Sequence, residues 1–561
     1  MMTTASTQQK HEHRWLLPAA VCGVLVILYF SLLYRLGYVC LHYDSCVIRT
    51  LLRGEVTGQP DAHTIYFNYV FGSILILCYR IFPMLNWFSL LLLFTCLFAL
   101  WAILFQALSS ARRPAHGAVF VILTLLLHFY TYGQSMMDLN YTSSASIAGI
   151  SAVCCLILPD RLRARDILLS SLLMILCAGI RFQVFAGMLP FLLVAVLLHL
   201  STLKQNRRYA AFLLTTVVVI GSLWMADHLA YTGAYARSAR INACNTELWD
   251  YDRWIPYTQH EAMFRELGID ELEYRLMKVS LELSDKPDET VLHAIADAHR
   301  AEETIDFKLQ KAMGILNQMI RKDYTAIVWM LVLLSVLSGA VLLMRTKEPR
   351  LLIIYLALLG LAVAEILYLA YEGRMPVRTS QGPLALFCLT GFSFSLRAFE
   401  PAAMDSSSGR QRILIPVVAL LLLIPCVFSF IHASDQIRRG KNLVRNDLKL
   451  VHFMAADTDH IYFVHNLSEP LDLLNPIHMN HMGWGGWCAT LIPWKQALMG
   501  PCDNVWDAIA YREDLRIITR KPAMEIIQEY MNRAGYDVTL QTETIPCLRS
   551  STILWHGGSP D

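Results

Sequence analysis

The sequence has few charged residues for its length. Only 16% of its 561 residues are Asp, Glu, Lys or Arg, whereas 55% are hydrophobic. Soluble domains typically carry about 25% charged residues. The formal net charge is +2 and no segment forms a basic domain, which argues against nucleic acid as a partner. The composition therefore predicts a polytopic membrane protein.

Several common catalytic patterns are also missing. The sequence has no CxxC pair, Cys/His metal spacing, Walker motif, HExxH or GxSxG, so ATPase, zincin and serine-hydrolase functions have no support. No small-x-small cleavage site follows the first apolar run, which predicts a retained span. Most of the 14 cysteines are single residues in apolar runs, as expected of small buried side chains. Cys488 and Cys502 are candidates for a disulfide.

About eleven apolar runs predict membrane spans. They are residues 15–34, 86–108, 117–134, 142–158, 167–181, 184–202, 209–228, 326–344, 351–371, 383–397 and 413–432. Residues 64–83 are apolar too, but polar residues interrupt them and Pro83 ends them, so we predict an interfacial helix there. With that assignment the basic loop clusters all fall on the side of the N-terminus, which predicts a cytoplasmic N-terminus.

The predicted topology leaves a cytoplasmic tail, 1–14, a transmembrane module, 15–432, and three segments outside the cytoplasm. The first loop, 35–85, contains the interfacial helix. The loop 229–325 carries apolar residues at three- and four-residue spacing, which predicts a helical insertion. Residues 433–561 predict a small α/β domain, with strands in "HIYFVHN", "LRIIT" and "STILWH" and an amphipathic helix that ends at Gly535.

The first loop holds the first candidate site residues, in "HYDSCVIRTLLRGEVTGQPDAH", residues 42–63. Asp44 follows the first span by one short turn, where a carboxylate can act as general base on a hydroxyl beside the bilayer. The same residue fits the N-cap of the helix that follows, and considered alone it fits the cap better. Asp61 and His63 form either a Pro-Asp turn, the preferred interpretation, or a polar corner that faces a site.

Other candidates lie in short loops on the same predicted face of the membrane. Asp138 in "GQSMMDLNYTSSAS" is either a second functional carboxylate or a helix cap. Arg181 occurs where two spans meet, and Arg374 and Arg378 flank Pro376 at another tight turn. Guanidinium groups at headgroup level suit a phosphate or pyrophosphate. The alternative for these arginines is ordinary snorkelling to the lipid headgroups.

This arrangement resembles the integral-membrane glycosyltransferases of GT-C type over about residues 15–400. "YDS" at 43–45 matches their acidic first-loop position, "PDAH" at 60–63 their corner, and "YVFGSILILCYRIFP" at 69–83 their interfacial helix. "RRPAHG" and "MMDLNYTSSASIAGI" match the turns after spans two and three. Unlike many members, this chain has one acidic residue in place of a pair, and its corner lacks the double proline. Its loops are also similar to those of an uncharacterised branch in Gram-positive gut bacteria.

The resemblance implies inverting transfer of a sugar from a polyprenyl-phosphate-type lipid donor. The acceptor would be an extracytoplasmic cell-envelope polysaccharide, glycolipid or protein. The implied catalytic residues are Asp44 and Asp138, the phosphate-binding residues Arg374, Arg378 and Arg181, and the substrate-binding residues Asp61 and His63. No cofactor is implied, and a divalent metal is compatible but not required. The alternative is a non-enzymatic lipid or polysaccharide transporter or envelope assembly protein, although the spans hold few of the polar residues that a transport path needs.

Overall fold

The structure is a computed structural model that describes most of the chain. The described residues are 16–36, 40–111, 114–279, 283–284, 286–345, 349–398, 431, 434, 445, 447–465, 467, 469–484, 486–536 and 552–556. The chain divides into two compact units. The first unit consists of residues 1–39, 91–222 and 311–441, and the second of residues 40–90, 223–310 and 442–561.

Helices occupy ten of the eleven predicted spans. They are Leu16–Leu36, Trp87–Ser110, Pro114–Met137, Tyr141–Ile157, Ala164–Ile180, Phe182–Leu198, Arg207–Ala230, Ala326–Arg345, Pro349–Tyr371 and Val377–Ala398. The eleventh, 413–432, lies almost entirely outside the described residues. Among the described residues, five helical segments are long and apolar enough to cross a membrane: Leu16–Leu36, Trp87–Ser110, His116–Gly133, Arg207–Ala230 and Leu351–Tyr371. The chain is a multi-pass helical membrane protein.

The apolar run at 64–83 forms a short helix, Tyr69–Ile81. Its 13 residues extend over about 20 Å, whereas the hydrocarbon core of a bilayer is about 30 Å thick. Two side chains hold its first turn. Asn68 accepts hydrogen bonds from the backbone N–H groups of Val70 and Phe71, and Asp227 Oδ1 accepts one from Tyr69 N at 2.7 Å. This helix is therefore too short to be a span, as its sequence predicted.

The helix Tyr141–Ile157 forms the centre of the first unit, because all 17 of its residues are buried. Its sequence is rich in Ser, Ala and Gly, and such small side chains let neighbouring helices approach closely. A Cβ atom at Gly149 would lie 2.7 Å from Met188 Cγ. The helix packs against Ala164–Ile180, Phe182–Leu198 and Val377–Ala398. The short strand β2, Asp138–Leu139, comes directly before this helix.

The helical insertion and the first loop belong to the second unit. The first loop contributes the helix Tyr43–Arg53. The helices of the insertion are Gly233–Asp250, Glu261–Glu266, Glu271–Val279, Glu289–Glu302 and Ile305–Gln318, and a π-helical turn, Met319–Asp323, follows them. Their apolar faces meet in a core that includes Leu248, Phe264 and Leu292.

The tail supplies a four-stranded sheet in the order β5-β3-β6-β7. Its strands are β3 (Ile461–His465), β5 (His481–Trp484), β6 (Leu515–Arg520) and β7 (Thr552–His556). Strand β3 runs parallel to β5 and β6, whereas β7 is antiparallel to β6. The tail helices are Ile492–Met499, Val505–Tyr511 and Lys521–Arg533. The three strands and the amphipathic helix expected from the sequence are all present, whereas Cys488 and Cys502 are thiols and not a disulfide.

The tail also pairs with the first loop inside the second unit. Strand β1, Cys40–Leu41, is antiparallel to strand β4, Glu469–Pro470, with Leu41 opposite Glu469. Strand β1 comes directly before the helix that carries Asp44, and β4 follows β3 of the tail sheet. This pairing places side chains of the tail beside the first-loop helix.

Candidate functional site

Asp44 lies in the first turn of the helix Tyr43–Arg53, but it is not the N-cap. The cap is His42, whose Nδ1 accepts a hydrogen bond from Asp44 N at 3.3 Å, so the expectation that Asp44 caps this helix is wrong. The carboxylate instead faces a tertiary contact. Its Oδ1 accepts a hydrogen bond from Trp487 Nε1 at 3.0 Å, and only 5% of Asp44 is exposed.

The indole that holds Asp44 is itself fixed by the first loop and the insertion. Trp487 belongs to the 3₁₀ turn Gly486–Thr490, and its ring packs edge-on against Tyr66 with centroids 5.5 Å apart. The hydroxyl of Tyr66 accepts a hydrogen bond from Asn242 Nδ2 at 3.0 Å and bonds with Thr246 Oγ1 at 3.0 Å. Three distant segments of the second unit thus build the surroundings of Asp44.

The same helix carries a buried group of charges, which we call the ion cluster: Arg49, Arg53, Glu55 and Glu469. Arg49 is 1% exposed, and its two terminal nitrogens lie 2.9 Å from Glu469 Oε2 and 3.2 Å from Glu55 Oε2. Arg53 Nε lies 2.7 Å from Glu55 Oε1. The charges of two arginines and two glutamates therefore neutralise one another inside the protein, largely shielded from water. Such a cluster tolerates the loss of one member poorly, because an unpaired buried charge remains.

A buried histidine borders the ion cluster. His481 Nε2 lies 3.5 Å from Glu469 Oε1. Burial, together with the positive charge of Arg49, lowers the pKa of His481 to about 3, so its imidazole is neutral at neutral pH. Burial raises the pKa of Glu469, and Arg49 opposes that shift. The cluster thus ties strand β4 and strand β5 to the first-loop helix.

Asp61 closes a turn with His63, which is one of the two arrangements that the sequence suggested. Asp61 Oδ1 accepts a hydrogen bond from His63 N at 2.8 Å and lies 2.7 Å from His63 Nδ1. Tyr235 Oη donates to Asp61 Oδ2 at 2.7 Å. Burial alone would raise the pKa of Asp61, but the hydrogen bonds from His63 and Tyr235 hold it below its ordinary value.

Aromatic rings enclose the imidazole of His63. Tyr235 stacks on it with centroids 3.8 Å apart and an interplanar angle of 16°, while Tyr231 and Tyr69 approach to 5.4 and 4.8 Å. His63 Nε2 lies 3.3 Å from Ala230 O, at the end of a long apolar helix. The corner is therefore anchored where the chain passes from that helix into the insertion.

In the first unit, Arg181 meets the segment that begins with Asp138. Arg181 has an extended backbone and separates two helices. Its guanidinium donates to Thr142 Oγ1 and lies over the ring of Tyr141, 5.0 Å from the centroid. The N-cap of that helix is Asn140, which accepts from Thr142 N at 2.7 Å, so Asp138 is not a cap. The structure brings Arg181 to the residues that follow Asp138.

Arg374 and Arg378 lie at the turn between the helices Pro349–Tyr371 and Val377–Ala398, and both are half-buried. Gly373 has a φ of +87°, which suits a glycine at this tight turn. Tyr324 Oη bonds with Ser380 Oγ at 2.8 Å. This bond joins the helix that carries Arg378 to the residues just before the helix Ala326–Arg345.

The predicted site residues thus fall into two sets. Asp44, Asp61 and His63 belong to the second unit, and the first unit contains the others: Asp138, Arg181, Arg374 and Arg378. The parts of the chain that the structure describes hold no group of three or more His, Cys, Asp or Glu side chains able to bind a metal ion. Sequence reasoning missed the ion cluster. The available signal was a pair of arginines, Arg49 and Arg53, one turn apart on the first-loop helix, because buried arginines require acidic partners.

No family model and no curated protein matches the chain. Solved structures similar to it include two of the same protein. One is a crystal structure of ArnT from Cupriavidus metallidurans bound to undecaprenyl phosphate, with 10% identity over 98% of this chain and 100% of that chain and a TM-score of 0.40. The other is ArnT from the same organism in the apo state, with 11% identity, coverage of 96% and 99%, and a TM-score of 0.38.

Proposed function

We propose that the chain is a membrane glycosyltransferase that moves a sugar from a polyprenyl-phosphate-type lipid donor to an acceptor outside the cytoplasm, with inversion. The observation that carries this proposal is the setting of Asp44. This carboxylate follows the first apolar helix, is buried, and is oriented by the indole N–H of Trp487 instead of serving as a helix cap. A general base needs such a fixed orientation toward the hydroxyl that it deprotonates.

In the proposed reaction, Asp44 accepts the proton of the acceptor hydroxyl while that oxygen attacks the anomeric carbon of the sugar. The bond between the anomeric carbon and the phosphate oxygen breaks, and its electron pair leaves with the polyprenyl phosphate. Positive charge at the leaving phosphate stabilises the transition state, and guanidinium groups bind phosphate oxygens in pairs. The candidates for that role are Arg374, Arg378 and Arg181.

The remaining candidates have supporting roles in this proposal. Asp138 orients the acceptor or the sugar, and the corner formed by Asp61 and His63 contacts the substrate. The ordered hydrogen bonds of Asp61 with His63 and Tyr235 support that role, because a binding residue must hold one geometry. The acceptor class is a cell-envelope polysaccharide, glycolipid or protein.

The test compares cell-envelope glycans of a deletion strain complemented with wild type, Asp44→Asn or Asp297→Asn. Asp297 is the matched control, because its side chain is 67% exposed on an insertion helix. We expect the deletion and Asp44→Asn to share one glycan defect, and Asp297→Asn to restore normal glycans. Normal glycans with Asp44→Asn at wild-type protein level would remove Asp44 as the base. Normal glycans in the deletion strain itself would contradict the transferase function.

The same proposal places the N-terminus in the cytoplasm and residues 433–561 outside it. Fusions of a reporter that is active on only one side of the membrane, made at each terminus, test this orientation. We expect a cytoplasmic signal from the N-terminal fusion and an extracytoplasmic signal from the C-terminal fusion. The reverse pattern would separate the proposed base from an extracytoplasmic acceptor and would contradict the mechanism.

A further inference from the structure

A groove of about 460 Å³ lies on the first unit, where the insertion joins the helix Ala326–Arg345. Its lining residues are Ile320, Arg321, Tyr324, Ala326, Trp329, Met330 and Leu333. Along the sequence the charged residue Arg321 comes near the start, the two aromatic residues follow, and apolar residues of a predicted span come last. In a bilayer, charged side chains likewise meet the lipid headgroups, Tyr and Trp lie at the membrane–water interface, and apolar side chains contact the acyl chains.

The charged end of the groove is Arg321, on the π-helical turn Met319–Asp323. Arg321 is exposed, and within the described part of the chain no carboxylate forms an ion pair with it, including the half-buried neighbour Asp323. Arg300 in the insertion differs, because it pairs with Glu247 and Asp297. An unpaired guanidinium can form two parallel hydrogen bonds with a phosphate. Lys322, also exposed, adds a second positive charge at the same level.

The aromatic middle of the groove is fixed before any ligand binds. Trp329 Nε1 donates to Ile320 O at 3.2 Å, and Tyr324 Oη bonds with Ser380 Oγ at 2.8 Å. The two rings pack at 90° with centroids 6.2 Å apart. Because protein atoms already engage both polar groups, the rings offer the groove their apolar surfaces. Tyr and Trp in this role are typical of the membrane interface.

The apolar end of the groove lies on the helix Ala326–Arg345. Leu333 is 56% exposed and follows Trp329 by one turn, about 6 Å along the helix axis at 1.5 Å per residue. The groove volume of about 460 Å³ falls in the range of ligand pockets, about 300–1,000 Å³.

We propose that this groove binds one anionic phospholipid of the surrounding membrane, with its phosphate at Arg321 and one acyl chain along Trp329 and Leu333. None of its lining residues is among those assigned to sugar transfer, although Tyr324 bonds with Ser380 on the helix that carries Arg378. Binding would fix how deep the junction between the insertion and the helix Ala326–Arg345 lies in the bilayer, because the protein would contact both the headgroup phosphate and an acyl chain of one lipid.

The test uses the purified full chain in detergent and native mass spectrometry to measure lipid binding. The probes are dioleoyl phosphatidylglycerol, dioleoyl phosphatidylcholine and undecaprenyl phosphate. Arg321→Gln is the test variant, and Arg237→Gln is the control, since Arg237 is an exposed arginine of the insertion. We expect phosphatidylglycerol to bind several-fold more tightly than phosphatidylcholine, and Arg321→Gln to weaken its binding about tenfold. Arg237→Gln should leave both affinities unchanged.

A second variant examines the apolar end. Leu333→Trp places a large ring in the groove at an exposed position and should weaken both diacyl lipids, with little effect on folding. Equal binding of phosphatidylglycerol to wild type and Arg321→Gln would overturn the proposal. Displacement of phosphatidylglycerol by an equal amount of undecaprenyl phosphate, or by millimolar inorganic phosphate, would overturn it too. None of these measurements involves sugar transfer, so a negative result would overturn the lipid site without bearing on the proposed transferase function.

Discussion

The indole N–H of Trp487 donates to the carboxylate of Asp44 at 3.0 Å, across 443 positions of the sequence. Trp487 lies in the turn that follows strand β5 of the tail sheet, and Asp44 lies in the first turn of the first-loop helix. A change that moves β5 therefore reaches the proposed base directly. The tail belongs to the structural support of the candidate site and is not an independent appendage.

The first prediction concerns this hydrogen bond. Trp487→Phe keeps a buried ring but removes the N–H donor, and it should lower the free energy of unfolding by about 1.5–3 kcal/mol, the range for hydrogen bonds to charged groups. The glycan product per folded molecule should fall as well, because the carboxylate loses its orientation. Thermal unfolding in detergent and quantitative glycan analysis measure the two effects.

Trp494→Phe is the matched control for that variant. Trp494 is buried too and donates to Gly483 O at 2.8 Å, so its loss should reduce stability but not product per folded molecule. The same product yield from both variants would show that Trp487 has only a packing role.

The second prediction concerns the ion cluster. Arg49→Met leaves Glu469 buried without its nearest positive partner and should lower the free energy of unfolding by about 3–5 kcal/mol. Adding Glu469→Gln should recover most of the loss, since no unpaired charge then remains. Arg265→Met is the control: its pair with Glu261 is exposed, and such i,i+4 pairs contribute only about 0.3–0.5 kcal/mol. Similar melting temperatures for both arginine variants would contradict the buried cluster.

The third prediction is a pH dependence from His481. Burial and Arg49 lower its pKa to about 3 from the ordinary 6.5, so between these values the unfolded chain binds a proton that the folded chain does not. The contribution of His481 to the free energy of unfolding is fully present above about pH 6.5 and is lost progressively as the pH falls toward 3. His481→Gln should remove that component, so its melting temperature should fall less between pH 6.5 and 4.

His452→Gln provides the comparison, because His452 is an exposed histidine of the same tail. This variant should keep the acid dependence of the wild type. Identical acid dependence of the wild type and both glutamine variants would show that His481 titrates normally in the folded chain.

The fourth prediction concerns the corner at Asp61. Tyr235→Phe removes the hydrogen bond to the Asp61 carboxylate and retains the stacking on His63, so the free energy of unfolding should fall by about 1.5–3 kcal/mol. Tyr235→Leu loses the stacking as well, so its free energy of unfolding should fall further. Tyr69→Phe keeps its ring beside His63 and serves as the control. If Asp61 and His63 contact the substrate, glycan yield should follow the order Tyr69→Phe, Tyr235→Phe, Tyr235→Leu, from highest to lowest.

The helices were predictable because hydrophobic periodicity and length are local properties. Helices at ten of the eleven predicted spans, helices in the insertion and the tail strand Ile461–His465 occur where the pattern indicated them. The cap of the first-loop helix was not predicted, since His42 and Asp44 both have side-chain acceptors and only the backbone decides between them. The contacts of Arg49 with Glu469 and of Asp44 with Trp487 were out of reach as well. Each joins residues more than 400 positions apart, and no local pattern encodes such a pair.

The buried contact between Arg49 and Glu469 also has a consequence for biosynthesis. A ribosome that adds about 5–20 residues per second finishes Glu469 roughly 20–80 s after Arg49. During that interval the first-loop helix has been synthesised, but Glu469 has not. The guanidinium of Arg49 must therefore stay hydrated or be bound by a chaperone. The first loop therefore reaches its final packing only after nearly the whole chain has emerged. A product that terminates before β4 would leave Arg49 without this partner.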